Sequence, residues 1–238
     1  MLIIAHRGAS GETVENTRSA FLAALRSGAD MVETDLQLTL DGHLVLHHDA
    51  TTRRLMNARH VIAREPLSRL QALRHANGDG LLTLSEVLEL IDGTLPINLE
   101  LKAKGSARVL LQYLADNAYR GPIMVSSKDF EELSVFQRHG LDLPMGPVIT
   151  TWSAALARKL ALHPWQFVSI SHRGLDTAAI HRLRRLGLKV LVFTVNAPKR
   201  MHELVAAGAD GIFTDYPSLA VRELSAATGR SNLLQEKE

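Results

Sequence analysis

Charged and polar side chains fall at alternate positions in two short apolar segments of this 238-residue chain. In MVETDL, Glu33 and Asp35 are two residues apart, and in INLELK the same spacing links Asn98, Glu100 and Lys102. Because successive side chains of a strand point to opposite faces, each set shares one face. Unpaired charge inside a sheet is expensive, so these groups must pair with one another, bind a metal ion or line a site.

The three carboxylates suit a hard divalent cation, since Mg²⁺ and Ca²⁺ prefer oxygen ligands. Glu33, Asp35 and Glu100 are therefore candidate metal ligands. The alternative is an internal ion-pair network, in which Lys102 bonds to Glu100 and an arginine neutralises the remaining charge. Charged groups near strand ends of a barrel favour a functional site over such a network.

Two histidine-containing motifs lie outside these segments, HRG at residues 6–8 and HHD at residues 47–49. A histidine can move protons, and Arg7 has the geometry to hold a phosphate or carboxylate with two hydrogen bonds. Two histidines beside a metal ion are the minimum for acid–base chemistry on a phosphoester. One would take a proton from the attacking oxygen, and the other would give a proton to the leaving alkoxide.

Short apolar segments alternate with amphipathic ones along the whole chain, which predicts repeated βα units. Strands are predicted at residues 2–5, 31–36, 97–101, 123–126, 145–149, 166–170, 189–194 and 210–213. Helices are predicted near 17–27, 84–91, 106–118, 130–139, 153–161, 176–186, 199–207 and 217–226. Thr83 and Asp129, each followed three residues later by Glu, indicate capping boxes at two helix starts. At this length, a closed eight-stranded barrel is favoured over an open parallel sheet.

One interval breaks the regular spacing, because about sixty residues separate Asp35 from Pro96, more than a βα unit needs. We therefore expect an insertion over about residues 40–82, with a short strand at 44–47 and a short helix at 68–74. Residues 1–225 are interpreted as one barrel domain with this insertion. Residues 226–238 are expected to form a polar C-terminal tail.

The composition excludes several classes of protein. With 46% apolar and 22% charged residues, the chain is an ordinary globular sequence rather than a disordered or fibrous one. A net charge of +2 without runs of like charge gives no sign of nucleic-acid binding. The absence of cysteine excludes disulfides and thiolate chemistry. No apolar stretch is long enough for a membrane span, and no secretory signal is recognisable, so we expect a cytoplasmic protein.

Several motifs occur together in a specific order. They are HRG at 6–8, EN at 15–16, ETDLQLTLDGHLVLHHD at 33–49, LELK at 99–102, FTVN at 193–196 and GADGIFTDYP at 208–217. In this respect the chain resembles the glycerophosphodiester phosphodiesterases over roughly residues 2–220. The resemblance implies a TIM (β/α)8 barrel with a small insertion after the second strand. It also implies hydrolysis of small glycerophosphodiesters to sn-glycerol 3-phosphate and an alcohol, with one divalent cation (Mg²⁺ or Ca²⁺, with Mn²⁺ also possible).

The resemblance assigns roles to individual residues. It places metal ligands at Glu33, Asp35 and Glu100, catalytic histidines at His6 and His48, and phosphate-binding cations at Arg7 and Lys102. His47 is then expected to be a packing or rim residue, and Asp215 to fix the last strand and turn. Which histidine acts as the base is left open, as is the choice between attack by the glycerol 2-hydroxyl and attack by water.

The chain departs from the family where the alcohol would bind. Lys128 stands where the family often has an aromatic residue, and Phe193 stands where tryptophan is common. A second HRG, at residues 172–174, is expected to reach the rim of the site without a catalytic role. The alternatives are a lysophospholipase D-like phosphodiesterase on the same barrel and a non-catalytic barrel that binds phosphoesters. The sequence leaves the oligomeric state open.

Overall fold

The structure, a computed structural model, describes residues 1–56, 58–117, 119, 121–141 and 143–228. The strands are β1 (Leu2–Ala5), β2 (Met31–Leu38), β3 (Leu44–Leu46), β4 (Ile97–Leu101), β5 (Ile123–Ser127), β6 (Met145–Ile149), β7 (Phe167–Ser171), β8 (Lys189–Phe193) and β9 (Gly211–Thr214). The helices are α1 (Arg18–Arg26), α2 (Arg53–Met56), α3 (Leu67–Gln71), α4 (Leu84–Ile91), α5 (Ser106–Asp116), α6 (Phe130–Arg138), α7 (Ala154–Leu160), α8 (Thr177–Arg185), α9 (Pro198–Ala206) and α10 (Pro217–Thr228).

Eight of these strands form a closed parallel barrel. Strands β1, β2 and β4 to β9 pair in that order, and β9 pairs with β1 so that Ala5 lies beside Thr214. One of α1 and α4 to α10 follows each barrel strand, which is the TIM barrel arrangement. The predicted barrel strands and helices agree with the observed ones to within two residues. Residues 226–228 of the predicted tail belong to α10, and residues 229–238 lie outside the described part of the chain.

Inside the barrel, side chains change from apolar to polar along the strand direction. At the amino ends, one buried cluster fills the interior, formed by Ile4, Met31, Phe167, Leu191 and Phe213. Two residues further along β1 and β2, the same inward face carries His6 and Glu33. The apolar layer therefore closes the bottom of the barrel and leaves the polar groups at the carboxyl ends of the strands, where barrel active sites form.

The insertion after β2 is confirmed as a small substructure with its own core. It contains β3, α2, a 3₁₀ turn at Ile62–Arg64 and α3, and β3 pairs antiparallel with β2. Its buried apolar residues are Val45, Met56, Ile62, Leu70 and Leu81. The end of β3 is tied to the barrel, because the His47 amide donates to the Asp35 carbonyl at 3.0 Å. The insertion therefore fixes the residues that follow β3.

One of the two predicted capping boxes is wrong. Thr83 and Glu86 form the expected box at the start of α4. The side chain of Glu132 does not close a box with Asp129; it is buried and accepts the amides of Gly105 and Ala107 at 2.7 and 2.8 Å. The residue before α5 is Gly105, which has no side chain to cap that helix, so Glu132 supplies the acceptor from α6.

Within the described part of the chain, no helix is both long and apolar enough to cross a membrane.

Candidate active site

A cavity of about 490 Å³ opens at the carboxyl ends of the barrel strands. Six of the seven predicted site residues line it: His6, Arg7, Glu33, His48, Glu100 and Lys102. The seventh, Asp35, is fully buried beside Glu33 and Glu100. All seven side chains, taken from three barrel strands and the insertion, are therefore brought together.

The three acidic residues form one compact cluster. In the register of β2 and β4, Asp35 lies beside Glu100, and Glu33 lies beside Asn98. One carboxylate oxygen from each of the three acids lies within 4.8 Å of the others. Glu33 Oε2 accepts the Arg7 amide at 2.9 Å, whereas Glu33 Oε1 is buried and has no hydrogen-bond partner among the described residues.

Two cations contact this cluster. Lys102 Nζ lies 2.6 Å from Glu100 Oε1 and 3.0 Å from Asp35 Oδ1. Arg7 Nε lies 3.0 Å from Asp35 Oδ2, and its Nη1 donates to Glu15 at 2.9 Å. The ion pairs considered from the sequence therefore exist, but both cations contact Asp35, and neither side chain pairs with Glu33.

This uneven pairing separates the pKa values of the acids. Burial, together with the neighbouring charges of Asp35 and Glu100, raises the pKa of Glu33 to about 8. Burial also acts to raise the pKa of Asp35, but the charges of Lys102 and Arg7 outweigh it and hold that pKa well below its usual range. As a result, the cluster disfavours the ionised form of Glu33 and stabilises the ionised form of Asp35.

His6 is fixed by an aspartate from the other end of the chain. Its Nδ1 lies 2.6 Å from Asp215 Oδ1, and Asp215 also accepts from Ser10 Oγ at 2.9 Å and Asn196 Nδ2 at 2.6 Å. Burial lowers the pKa of His6, but the hydrogen bond to Asp215 and the charges of Glu33 and Asp215 together outweigh this, so the net shift is upward. Burial likewise opposes ionisation of Asp215, yet the hydrogen bond from His6 lowers the pKa of that carboxyl to about 2.

His48 is fixed in a similar way by its own neighbour. Its Nδ1 lies 2.8 Å from Asp49 Oδ1, and Arg54 Nε donates to the other oxygen of Asp49 at 2.6 Å. Arg54 also donates to Glu15 at 2.7 and 3.0 Å, which links this group to the loop after β1. The Nδ1 atoms of both cavity histidines are thus engaged by carboxylates, which leaves Nε2 as the ring nitrogen available to a ligand.

His47, the other histidine of the HHD motif, is fully buried. Its Nδ1 lies 2.8 Å from the backbone oxygen of Asp49, and its ring does not line the cavity. The expectation that His47 packs against the protein while His48 faces the site agrees with this geometry.

Sequence reasoning missed the groups that hold the histidines and the acid cluster in place. Asp215 was expected only to fix the last strand and turn, and Arg54 was given no role. A signal for Asp215 was present in the sequence. The segments at 28–35 and 208–215 both read Gly-Ala-Asp, three further residues and Thr-Asp, and Asp215 ends the second segment as Asp35 ends the first. Asn16 of the EN motif donates to Asp35 Oδ2 at 3.0 Å, so it supports the acid cluster directly.

The remaining wall of the cavity includes Lys128 and Phe193, the two residues that depart from the family pattern. Lys128, Arg173 and Phe193 all line it, together with Thr194 and Phe213. Arg173 belongs to the second HRG motif, which therefore does reach the rim. His172 lies outside this cavity, among the residues of a neighbouring one.

A closed (β/α)8 barrel with clustered carboxylates and two carboxylate-held histidines at the carboxyl ends of its strands belongs to the class of barrel enzymes that act on small substrates. A sequence model of the Glycerophosphoryl diester phosphodiesterase family matches residues 6–219. The chain belongs to this family, and it is a phosphodiesterase of the glycerophosphodiester type.

Individual relatives cover almost the whole chain. A glycerophosphodiester phosphodiesterase of Caldanaerobacter subterraneus is 31% identical over 240 residues, spanning 92% of this chain and 96% of that protein. One from Bacillus altitudinis is 30% identical over 236 residues, with the same 92% and 96% coverage. Among solved structures, an Oleispira antarctica phosphodiesterase in complex with the product sn-glycerol-3-phosphate has a TM-score of 0.89 and 26% identity, covering 94% of this chain and 97% of that one.

Proposed function

We propose that this enzyme hydrolyses glycerophosphodiesters to sn-glycerol 3-phosphate and an alcohol, with one divalent cation and two histidines as acid and base. The observation that carries the proposal is the set of side chains gathered at a single cavity. It places the acid cluster beside His6 and His48, and each histidine is held through Nδ1 by its own aspartate. The Oleispira relative, bound to sn-glycerol-3-phosphate, supports the choice of product.

The acid cluster suits a divalent cation held by Glu33, Asp35 and Glu100. Glu33 Oε1 is buried without a partner, and burial raises the pKa of Glu33 to about 8, so an added cation would relieve an unfavourable charge. The all-oxygen ligand set fits Mg²⁺ or Ca²⁺, and Mn²⁺ is a further possibility. When bound, such an ion would polarise the phosphoryl group and neutralise part of its charge.

The two histidines would transfer the protons of the reaction. A new P–O bond forms to the attacking oxygen, from water or from the glycerol 2-hydroxyl, while one histidine accepts its proton at Nε2. The P–O bond to the alcohol breaks, and the other histidine gives its proton to the departing oxygen. Attack by water gives sn-glycerol 3-phosphate directly. Attack by the 2-hydroxyl gives a cyclic phosphate, which water then opens: the histidine that gave its proton accepts one from this water, and the first histidine returns its proton to the 2-oxygen. Either histidine can fill either role in this scheme, since both present Nε2.

Arg7 and Lys102 would contact the phosphoryl oxygens. Both line the cavity, and both are oriented by Asp35, with which each makes a contact of 3.0 Å. Cations held this way stabilise the negative charge that grows on the phosphoryl oxygens without having to reorganise during the reaction.

Identifying which P–O bond of the substrate is cleaved tests this proposal. Incubation with glycerophosphoethanolamine and Mg²⁺, followed by ³¹P NMR, should show sn-glycerol 3-phosphate as the phosphorus-containing product. Phosphoethanolamine as the product would mean cleavage on the glycerol side and would overturn the proposal. An unchanged substrate signal with Mg²⁺, Ca²⁺ and Mn²⁺ in turn would also overturn it.

A further inference from the structure

Two cations of the cavity take no part in the reaction scheme above. Lys128 follows β5 and Arg173 follows β7, and both are exposed at the cavity wall. Neither forms an ion pair with any residue that the structure describes. Among the described residues lining this cavity, the only acids are Glu33 and Glu100, on the β2 and β4 side. The wall from β5 to β8 therefore carries uncompensated positive charge.

The backbone that presents each cation is anchored. Ser127 Oγ donates to the Leu101 carbonyl at 2.9 Å and accepts the amide that follows Lys128 at 3.1 Å. Arg200 Nη2 donates to two carbonyls of the loop that carries Arg173, at 3.3 and 2.9 Å. Because the anchors hold both loops, the two cations face the cavity from fixed backbone positions.

The cavity continues outward on this same side. A neighbouring cavity of about 550 Å³ shares Arg173, Phe193 and Thr194 with it. Thr150 and Thr151 also line this neighbouring cavity. If the phosphorus of a phosphodiester lies at the acid cluster, one of its two ester groups can therefore extend along β6 to β8 into this neighbouring cavity.

We propose that Lys128 and Arg173 select glycerophosphodiesters whose alcohol carries an anionic group, such as a carboxylate. Glycerol has no charge for them to bind, so the anion must belong to the other arm. An arginine can hold a carboxylate or phosphate with two hydrogen bonds, and a lysine adds a mobile point charge. An alcohol that carries only a cationic group would be disfavoured by the same two side chains. This inference rests on the proposed function of the site.

Two substrates that differ by one carboxylate test the inference. Glycerophosphoserine carries a carboxylate that glycerophosphoethanolamine lacks, and the two are otherwise alike. We expect a higher kcat/KM for the serine ester. Replacing either cation, Lys128→Gln or Arg173→Gln, should lower kcat/KM for the serine ester by about fivefold, as for an exposed ion pair. The value for the ethanolamine ester should stay unchanged or rise.

Matched controls remove the same charges at the opposite end of the barrel. Lys189 at the start of β8 and Arg185 at the end of α8 are both exposed there. Lys189→Gln and Arg185→Gln should leave both kcat/KM values as they are. Thermal unfolding of all four variants would show that each remains folded, since each change lies on the surface.

The other outcomes separate a failure of this inference from a failure of the proposed function. Equal kcat/KM values for the two esters, unaffected by Lys128→Gln and Arg173→Gln, would overturn the inference and leave the proposed function standing. An equal loss on both esters would overturn it too, because the cations would then bind the phosphodiester that both esters share. No turnover of either ester would overturn the proposed function and the inference with it.

Discussion

His47 and His48 are neighbours in the chain with opposite surroundings. His47 is fully buried, whereas the His48 side chain is one-third exposed at the cavity and held by Asp49. We expect His48→Ala to lower kcat by about 10²- to 10⁴-fold, as for a lost acid or base, without a large change in Tm. His47→Ala should instead lower Tm and leave the folded protein active. Loss of activity in His47→Ala alone would show that the assignment within this motif is reversed.

Asp215 positions His6 and raises its pKa. In Asp215→Asn the protonated form of His6 loses its carboxylate partner, so the pKa of His6 falls. We expect kcat to drop about tenfold or more, and the limb of the kcat/KM profile that reports His6 to move to lower pH. Steady-state kinetics between pH 5 and 9 would measure both effects.

The control for this variant is Asp210→Asn. Asp210 lies in the same βα unit but accepts the Val190 amide, away from the cavity. Its loss should leave the pH profile unchanged. If Asp215→Asn has the profile of the wild type, Asp215 does not act through His6.

At the scale of elements, α5 depends on a neighbouring helix for its cap. Glu132 of α6 accepts two amides at the start of α5, and such bonds to a charged group contribute about 1.5–3 kcal/mol. We expect Glu132→Ala to lower the free energy of unfolding by about this amount in urea titrations. Glu131→Ala, an exposed change one residue away, should cost less than about 0.5 kcal/mol. Equal effects of the two changes would contradict the capping role.

The elements themselves are the part of the structure that the sequence predicts well. Alternation of polar and apolar residues places Glu33 and Asp35 on the inward face of β2, and the structure agrees. Capping partners are harder to predict. Glu132 satisfies the local capping pattern with Asp129, yet it bonds to Gly105, because the packing of the two neighbouring βα units of β4 and β5 brings the start of α5 beside α6. A local sequence pattern does not show whether a carboxylate accepts a hydrogen bond from an amide nearby in the chain or from one far along it.

At the scale of the whole molecule, barrel closure brings the ends of the chain together at the site. His6 and Asp215 are 209 positions apart, but β1 and β9 are neighbours in the barrel. The sequence motifs predict the acids and histidines because each is local to one strand or loop. Asp49, which holds His48, stands in the same motif as that histidine. Asp215, which holds His6, comes from the other end of the chain through the pairing of β1 with β9, and the motif around Asp215 does not reveal which histidine it contacts. The cytoplasmic location stays a prediction.

The buried charge of Glu33 also affects the stability of the whole fold. Without divalent cations, the raised pKa of Glu33 means that the folded protein keeps a proton that the unfolded chain releases. Stability is therefore lost as pH rises from about 4.5 to about 8. We expect Tm, followed by circular dichroism in EDTA, to fall less over this interval in Glu33→Gln than in the wild type.

The same variant tests the cation site without an activity assay. Mg²⁺ or Ca²⁺ at a hundredfold excess over Kd should stabilise the wild type by about 2.7 kcal/mol. Glu33→Gln should lose most of this effect, because it lacks one of the three carboxylates. A cation-induced rise in Tm of the same size in Glu33→Gln and wild type would place the cation elsewhere.

The measurement that tests the central claim most directly is the release of sn-glycerol 3-phosphate from glycerophosphoethanolamine with Mg²⁺ or Ca²⁺, with EDTA, and after the cation is restored. We predict release with at least one cation, loss of release in EDTA and recovery when that cation is added back. Release that continues unchanged in EDTA would contradict the role given to the acid cluster. No release with either cation would contradict the proposed reaction itself.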